Sequence, residues 1–151
     1  MKLFLGAISP KRSRAKSGGA EILFNDYVAR AARYLPCVGQ LYPSESDFLA
    51  TLDHHPGRSR PHLMLLDCRG QQFTSEAFAA HIGRLRDSGI QSLILAIGPA
   101  DGWSPAARFR ADSLLSLGPM TLPHELARVV LAEQVYRALT ILTGHPYHSG
   151  H

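Results

Sequence analysis

The chain has 151 residues, 45% hydrophobic and 19% charged, with a formal net charge of +4 and a pI near 9.4. That length suits one domain with an ordinary core, burying roughly 70% of the surface its unfolded form exposes, and the composition excludes fibrous and disordered classes. The charged fraction falls below the roughly 25% of average soluble domains, which suits a surface partly covered by a second copy. The basic balance favours polyanions without naming one.

In chain order, the apolar run 3–8 is broken by Pro10. It is too short for a signal segment or a membrane span, and it reads as a first strand of a cytoplasmic protein. Lys11, Arg12, Arg14 and Lys16 follow, closed by Ser17-Gly18-Gly19. A cationic loop of this kind contacts phosphates without reading base sequence. Helix patterns over 20–34, 46–53, 76–86 and 105–109 then alternate with strand candidates 37–42, 62–67, 92–97 and 113–117. A long helix over 123–143 closes the pattern. The strand candidates are mostly continuous apolar runs, as expected where both faces of a sheet are covered. Ser75 and Gly89 are expected to bound the third helix, Ser104-Pro105 to open the fourth, and Thr121 with Pro123 to open the last. Gly144 and Pro146 stop it. Five strand–helix alternations predict an α/β fold with an open, mainly parallel sheet, forming a single domain over 1–151.

The last helix is apolar nearly all round. Leu131, Val135, Ala138, Leu139 and Leu142 form a core stripe, while Leu126, Val129 and Val130 project on another side of its first half. A helix of that kind is covered twice, and a subunit interface is the reading preferred here. Glu133 and Arg137, four apart, read as a helix-surface pair.

Ligands of parallel α/β sheets sit beyond the carboxyl ends of the strands. Those ends are Leu66-Asp67, the run from Gly98 to Gly102, and Leu117 to Leu122, three loops expected to build one site. The run from Gly98 to Gly102 is neither a phosphate-binding loop followed by Lys-Ser/Thr nor a dinucleotide-binding turn, and there is no G-x-S-x-G elbow. Kinases, classical dehydrogenases and serine hydrolases are thereby disfavoured. Cys37 and Cys68 make neither a disulfide framework nor a zinc pattern and read as buried small side chains. His145, His148 and His151 lack the cysteine or carboxylate that would complete a metal shell, so no metal is expected. His54 and His55 lie in a polar loop and read as exposed.

One family carries these features together. The stretches are Leu66-Asp67-Cys68-Arg69-Gly70, Thr74-Ser75-Glu76-Ala77-Phe78-Ala79, Ile97-Gly98 and Gly102-Trp103-Ser104-Pro105. They continue through Leu115-Ser116-Leu117, Met120-Thr121-Leu122-Pro123-His124 and Glu133-Gln134-Val135-Tyr136-Arg137-Ala138 to His145-Pro146-Tyr147-His148. In order and spacing the chain resembles the small bacterial SPOUT-class enzymes that methylate N3 of a pseudouridine in 23S ribosomal RNA, closely over 65–148 and more loosely before. The resemblance implies a C-terminal deep trefoil knot, a homodimer, and S-adenosyl-L-methionine held by Leu66, Gly98, Leu117, Gly118, Pro119, Met120, Thr121 and Leu122. It implies 23S rRNA within the ribosome as the partner. Tyr147 and His148 are the candidates for substrate positioning and proton handling, with Asp67 and His124 behind them. Departures occur at Pro99, Pro119 and Ser149. They motivate an alternative, a ribosome-associated SPOUT protein with impaired catalysis; a SPOUT enzyme acting on tRNA is a further one.

Overall fold

The computed structural model describes residues 1–10 and 18–149. Within them the chain runs β1 (Lys2–Ile8), α1 (Gly18–Ala31), β2 (Cys37–Tyr42), α2 (Glu45–Asp53), β3 (His62–Gln71), α3 (Ser75–Asp87) and β4 (Ser92–Ile97). It continues with α4 (Pro105–Arg110), β5 (Ser113–Leu115), α5 (His124–Thr143) and a single 3-10 turn, Pro146–His148. The strands form one five-stranded sheet in the order β2-β1-β4-β3-β5, and every pairing is parallel. The expected α/β sheet is therefore present. The basic residues Lys11, Arg12, Arg14 and Lys16 lie outside the described residues.

The continuous apolar strands split their side chains between two layers. Leu3, Leu5, Ala7, Met64, Leu93, Leu95, Ile97 and Leu115 pack with Phe24 of α1, Phe78 and Ile82 of α3, and Leu131, Val135 and Leu139 of α5. Their neighbours Ile8, Leu63, Leu65, Ile94 and Ala96 pack with Phe48 of α2, with Trp103 in the turn before α4, and with Ala107 of α4. With period two and both faces covered, each strand must be apolar throughout. Helix α5 lies against both α1 and α3. Arg128 secures the α1 side: it is buried, bonds Glu21 Oε2 at 2.7 Å and places its guanidinium 4.2 Å from the centre of the Phe24 ring.

Some boundaries differ from expectation for identifiable reasons. Thr74, not Ser75, caps α3, its hydroxyl accepting from the Ala77 N–H at 3.1 Å. Ser75 lies inside the helix and donates to Gln134 instead. The N-cap of α5 is Pro123, without a side-chain bond, so Thr121 has no capping role. Gly144 ends α5 in the left-handed conformation at φ 73°, which only glycine adopts without strain. Strand β3 runs past Asp67 because the chain leaves the ladder and returns: Leu66 and Gln71 both face Leu115. Gly70 makes that return possible, since a Cβ there would lie 2.6 Å from the Leu114 and Leu115 main chain. Cys37 is buried, its thiol pushed up to about 12 by burial and so unreactive, whereas Cys68 is exposed, contrary to the sequence reading. His55 also departs from it, being half-buried against Phe4 and bonded to Ser92 Oγ at 3.1 Å.

His62 and His81 add a pH dependence. His81 stacks on Phe73 at 5.3 Å, and the Nε2 atoms of both histidines are buried without a partner among the described residues. Burial pushes both pKa values below the ordinary 6.5. The fold therefore holds both rings neutral while the unfolded chain takes up protons more readily. Their contribution is complete above pH 6.5 and is lost as the pH falls. The melting temperature is expected to fall between about pH 7 and 5, and a His62→Leu/His81→Leu double variant should fall less steeply. An unchanged slope in thermal melts would move the effect to other groups.

Candidate active site

At the carboxyl edge of the sheet the ends of β3, β4 and β5 enclose a cavity of about 230 Å³. Leu66, Asp67 and Cys68 come from β3, Ile97 from β4, and the whole run Leu115–Leu122 forms one wall, with Ala127 of α5 behind it. Two of the three anticipated loops thus meet directly, and Leu66, Leu117, Gly118, Pro119, Met120, Thr121 and Leu122 all line one space. Gly98 stands just outside it. A Cβ on Gly98 would lie 2.9 Å from the indole of Trp103, a side chain only 4% exposed. The close neighbour that excludes a side chain at Gly98 is Trp103.

The wall after β5 has an unusual main chain. Ser116 Oγ accepts from the Gly118 N–H at 3.1 Å and donates to the Gly118 carbonyl at 3.2 Å, tying the turn on itself. Gly118 takes φ 124°, a value L side chains rarely adopt. Beyond it, the N–H groups of Met120, Thr121 and Leu122 find no hydrogen-bond partner among the described residues. Met120 is 84% exposed. An apolar hollow beside uncommitted amides is suited to a flat heterocycle whose edge is read by main chain. His124 opens α5 next to this wall. Burial pushes its pKa down, partly opposed by the adjacent main chain of Gly98, so the ring is held neutral. Asp67 is nearly covered and spends its carboxylate on Arg69, accepting from the N–H at 2.9 Å.

Tyr147 and His148 belong to a different but adjoining cluster. The 3-10 turn folds back on α5, its Tyr147 ring 4.6 Å from that of Tyr136. Tyr147 donates to Glu133 Oε1 at 3.0 Å, and the same oxygen accepts from Arg137 Nη2 at 2.7 Å. Arg137 Nη1 lies 3.0 Å from His148 Nδ1, and His148 Nε2 lies 2.8 Å from Glu76 Oε1. Arginine can only donate, so Nδ1 accepts and the imidazole proton sits on Nε2, directed at Glu76. Burial, then the Glu133 bond, push the Tyr147 phenol well above its ordinary value, so it remains protonated. Glu133 and Arg137 are no simple surface pair, with side chains only 16% and 18% exposed. Glu133, Gln134, Ser75 and Glu76 escaped the sequence reading as site-shaping residues; the one available signal was the Glu133–Arg137 spacing. Among the described residues no group of three or more His, Cys, Asp or Glu side chains is placed to hold a metal, and no helix is long and apolar enough to cross a membrane.

A family model described as "Predicted SPOUT methyltransferase" matches residues 12–148. The chain belongs to the SPOUT methyltransferase family. A relative from Koribacter versatilis named "Ribosomal RNA large subunit methyltransferase H" is 50% identical over 138 residues, which is 91% of this chain and 94% of the relative. One of the same name from Rhizobium meliloti is 60% identical over 86 residues, 57% of this chain and 54% of that one. Among solved structures, the SpoU methyltransferase AviRb from Streptomyces viridochromogenes, in complex with the cofactor AdoMet, aligns with a TM-score of 0.53 at 14% identity, over 90% of this chain and 57% of that one. A probable methylase family protein from Haemophilus influenzae aligns at 0.54 and 8% identity, over 98% and 70%. At those identities the likeness speaks for a shared SPOUT fold.

Proposed function

We propose that this SPOUT chain transfers a methyl group from S-adenosyl-L-methionine to N3 of a pseudouridine in helix 69 of 23S rRNA, acting in the cytoplasm on the ribosome. The observation that carries this reading is the convergence of Leu66, Ile97 and Leu115–Leu122 on one apolar hollow edged by free main-chain amides. The relatives named for ribosomal RNA large subunit methylation support the substrate class. The cofactor bound to the AviRb structure supports the donor.

The residues fit that donor. Leu66, Leu117, Met120 and Leu122 supply faces for an adenine ring, while the amides of Met120 and Leu122 are free to read its edge. When bound, a sulfonium donor supplies an electrophilic methyl carbon. The imide nitrogen of the acceptor would give up its proton to bulk water before the base is sequestered, and the resulting anion would then take the methyl group while the C–S electron pair returned to sulfur. The protein's task is alignment and exclusion of water. Tyr147 and His148 close the C-terminal turn over α5 and act as positioning groups, since Tyr147 keeps its proton and both ring nitrogens of His148 are engaged.

Two further elements belong to the same reading. The deep trefoil knot is supported by β5 lying at the sheet edge while α5 returns between α1 and α3. A homodimer is supported by Ile22 (71% exposed) and Leu23 (49%) on α1 and Leu126 (50%) on the adjoining α5. Lys11, Arg12, Arg14 and Lys16 are proposed to meet RNA phosphates.

The test is calorimetry with the donor followed by labelled methyl transfer to ribosomes lacking the modification. Micromolar donor binding and label in large-subunit rRNA are expected. Absent donor binding would favour the ribosome-associated protein with impaired catalysis, and label in tRNA would move the substrate.

A further inference from the structure

A second cavity, of about 260 Å³, adjoins the one just described. It lies between the β3–α3 connection and α5, and it shares Leu115, Ser116, Leu117 and Gly118 with the donor cavity. We propose that this cavity receives the acceptor base as a flat, uncharged pyrimidine with an imide edge, and that Gln134 is the side chain that reads it. The proposal rests on the methyl-transfer reading above.

The lining argues for such a guest. Phe73, Phe78, Leu115, Val130 and Leu131 give apolar and aromatic walls suited to a base ring. No described residue lining the cavity is charged, so neither a phosphate nor the zwitterionic end of an amino acid finds a counter-charge there. The space is that of one ring system rather than a nucleotide chain.

Gln134 is held in one orientation. Its Nε2 donates to Glu133 Oε2 at 2.9 Å, and its Oε1 accepts from Ser75 Oγ at 2.8 Å. A carboxylate accepts only, so the nitrogen must face Glu133 and the amide plane is pinned at both ends. One N–H is then left over on a side chain that lines the cavity. When an imide loses its proton, the charge spreads onto the flanking carbonyl oxygens. An oriented N–H there stabilises the charged form more than the neutral one, and the preorganised amide needs no rearrangement to do so. Because both cavities are lined by Leu115–Gly118, the two reactants occupy neighbouring spaces, and a direct in-line displacement needs that adjacency.

The test is a titration of the donor-free protein with uridine 5′-monophosphate, followed through the aromatic proton resonances of Phe73 and Phe78. These resonances should shift and saturate, and Gln134→Leu should weaken the affinity about tenfold. In RNA methylation the same variant should lower kcat about 10²-fold while donor affinity by calorimetry and the melting temperature stay unchanged. Shifts confined to other residues in the wild-type protein would overturn the proposal even if the variant failed to fold. So would a loss of donor affinity in Gln134→Leu, which would give the cavity to the donor. Absence of donor binding by the wild-type protein would instead remove the methyl-transfer reading, a result separate from the nucleotide titration.

Discussion

Replacing Gly118 with valine is expected to lower donor affinity by about tenfold to a hundredfold, the binding equivalent of the 1–3 kcal/mol stored in a strained backbone. Gly118 holds φ 124°, and a Cβ there would meet no neighbour within 4 Å. The penalty is therefore conformational, not steric. To relieve it the turn must rotate, breaking both bonds between Ser116 Oγ and Gly118 and re-aiming the amides of Met120, Thr121 and Leu122. The sheet and helices should survive, because Gly118 lies in a connection between β5 and α5. Gly98→Val provides the contrast. Its new side chain would press on the buried Trp103 ring, so its main effect should be a loss of stability of about 1–3 kcal/mol. Calorimetry paired with thermal melts separates the two variants, and equal donor affinity in Gly118→Val and wild type would place the donor elsewhere.

Glu133→Leu should release the C-terminal turn and lower kcat about 10²-fold. One carboxylate accepts from Arg137, Tyr147 and Gln134 together. Its loss leaves the largely covered Arg137 guanidinium without its counter-charge, at a cost on the order of 2–3 kcal/mol. Glu133→Gln can still accept from Tyr147 but leaves Arg137 uncompensated, so it should recover part of the activity and little of the stability. The Tyr147 phenol gives a readout independent of catalysis. In the wild-type protein its pKa lies above the ordinary 10.0, a contribution present below that value and lost as the pH rises beyond it. In Glu133→Leu the ultraviolet titration of this phenol should move back toward 10.0. A wild-type titration curve in the variant would show that burial alone holds the proton.

The parallel sheet was legible because each strand candidate was an unbroken apolar run, which leaves few alternatives to a sheet covered on both faces. The meeting of Leu66 with Leu117–Leu122 was legible for a related reason: parallel strands point all their carboxyl ends to one edge. What lay hidden depended on side chains remote in the chain. Ser75 and Gln134, or Glu76 and His148, are brought together only when α3 and the last turn dock on α5, and no local pattern announces such pairs. The detour of β3 between Leu66 and Gln71 was equally silent, since Asp67-Cys68-Arg69-Gly70 reads locally as an ordinary loop. The neighbour that crowds Gly98 was hidden too, because Trp103 follows in a turn whose path periodicity does not set.

Helix α5 follows α1 and α3 in the chain and packs against both. While the chain is still being synthesised, Phe24, Phe78 and Ile82 and the strand residues Leu5, Leu95 and Ile97 have no lid, and the nascent protein presents a sticky apolar trough. Closure must wait for contacts spanning most of the chain, an arrangement that slows folding through its entropic cost. Truncation before residue 124 is therefore expected to leave an aggregating fragment rather than a smaller working protein.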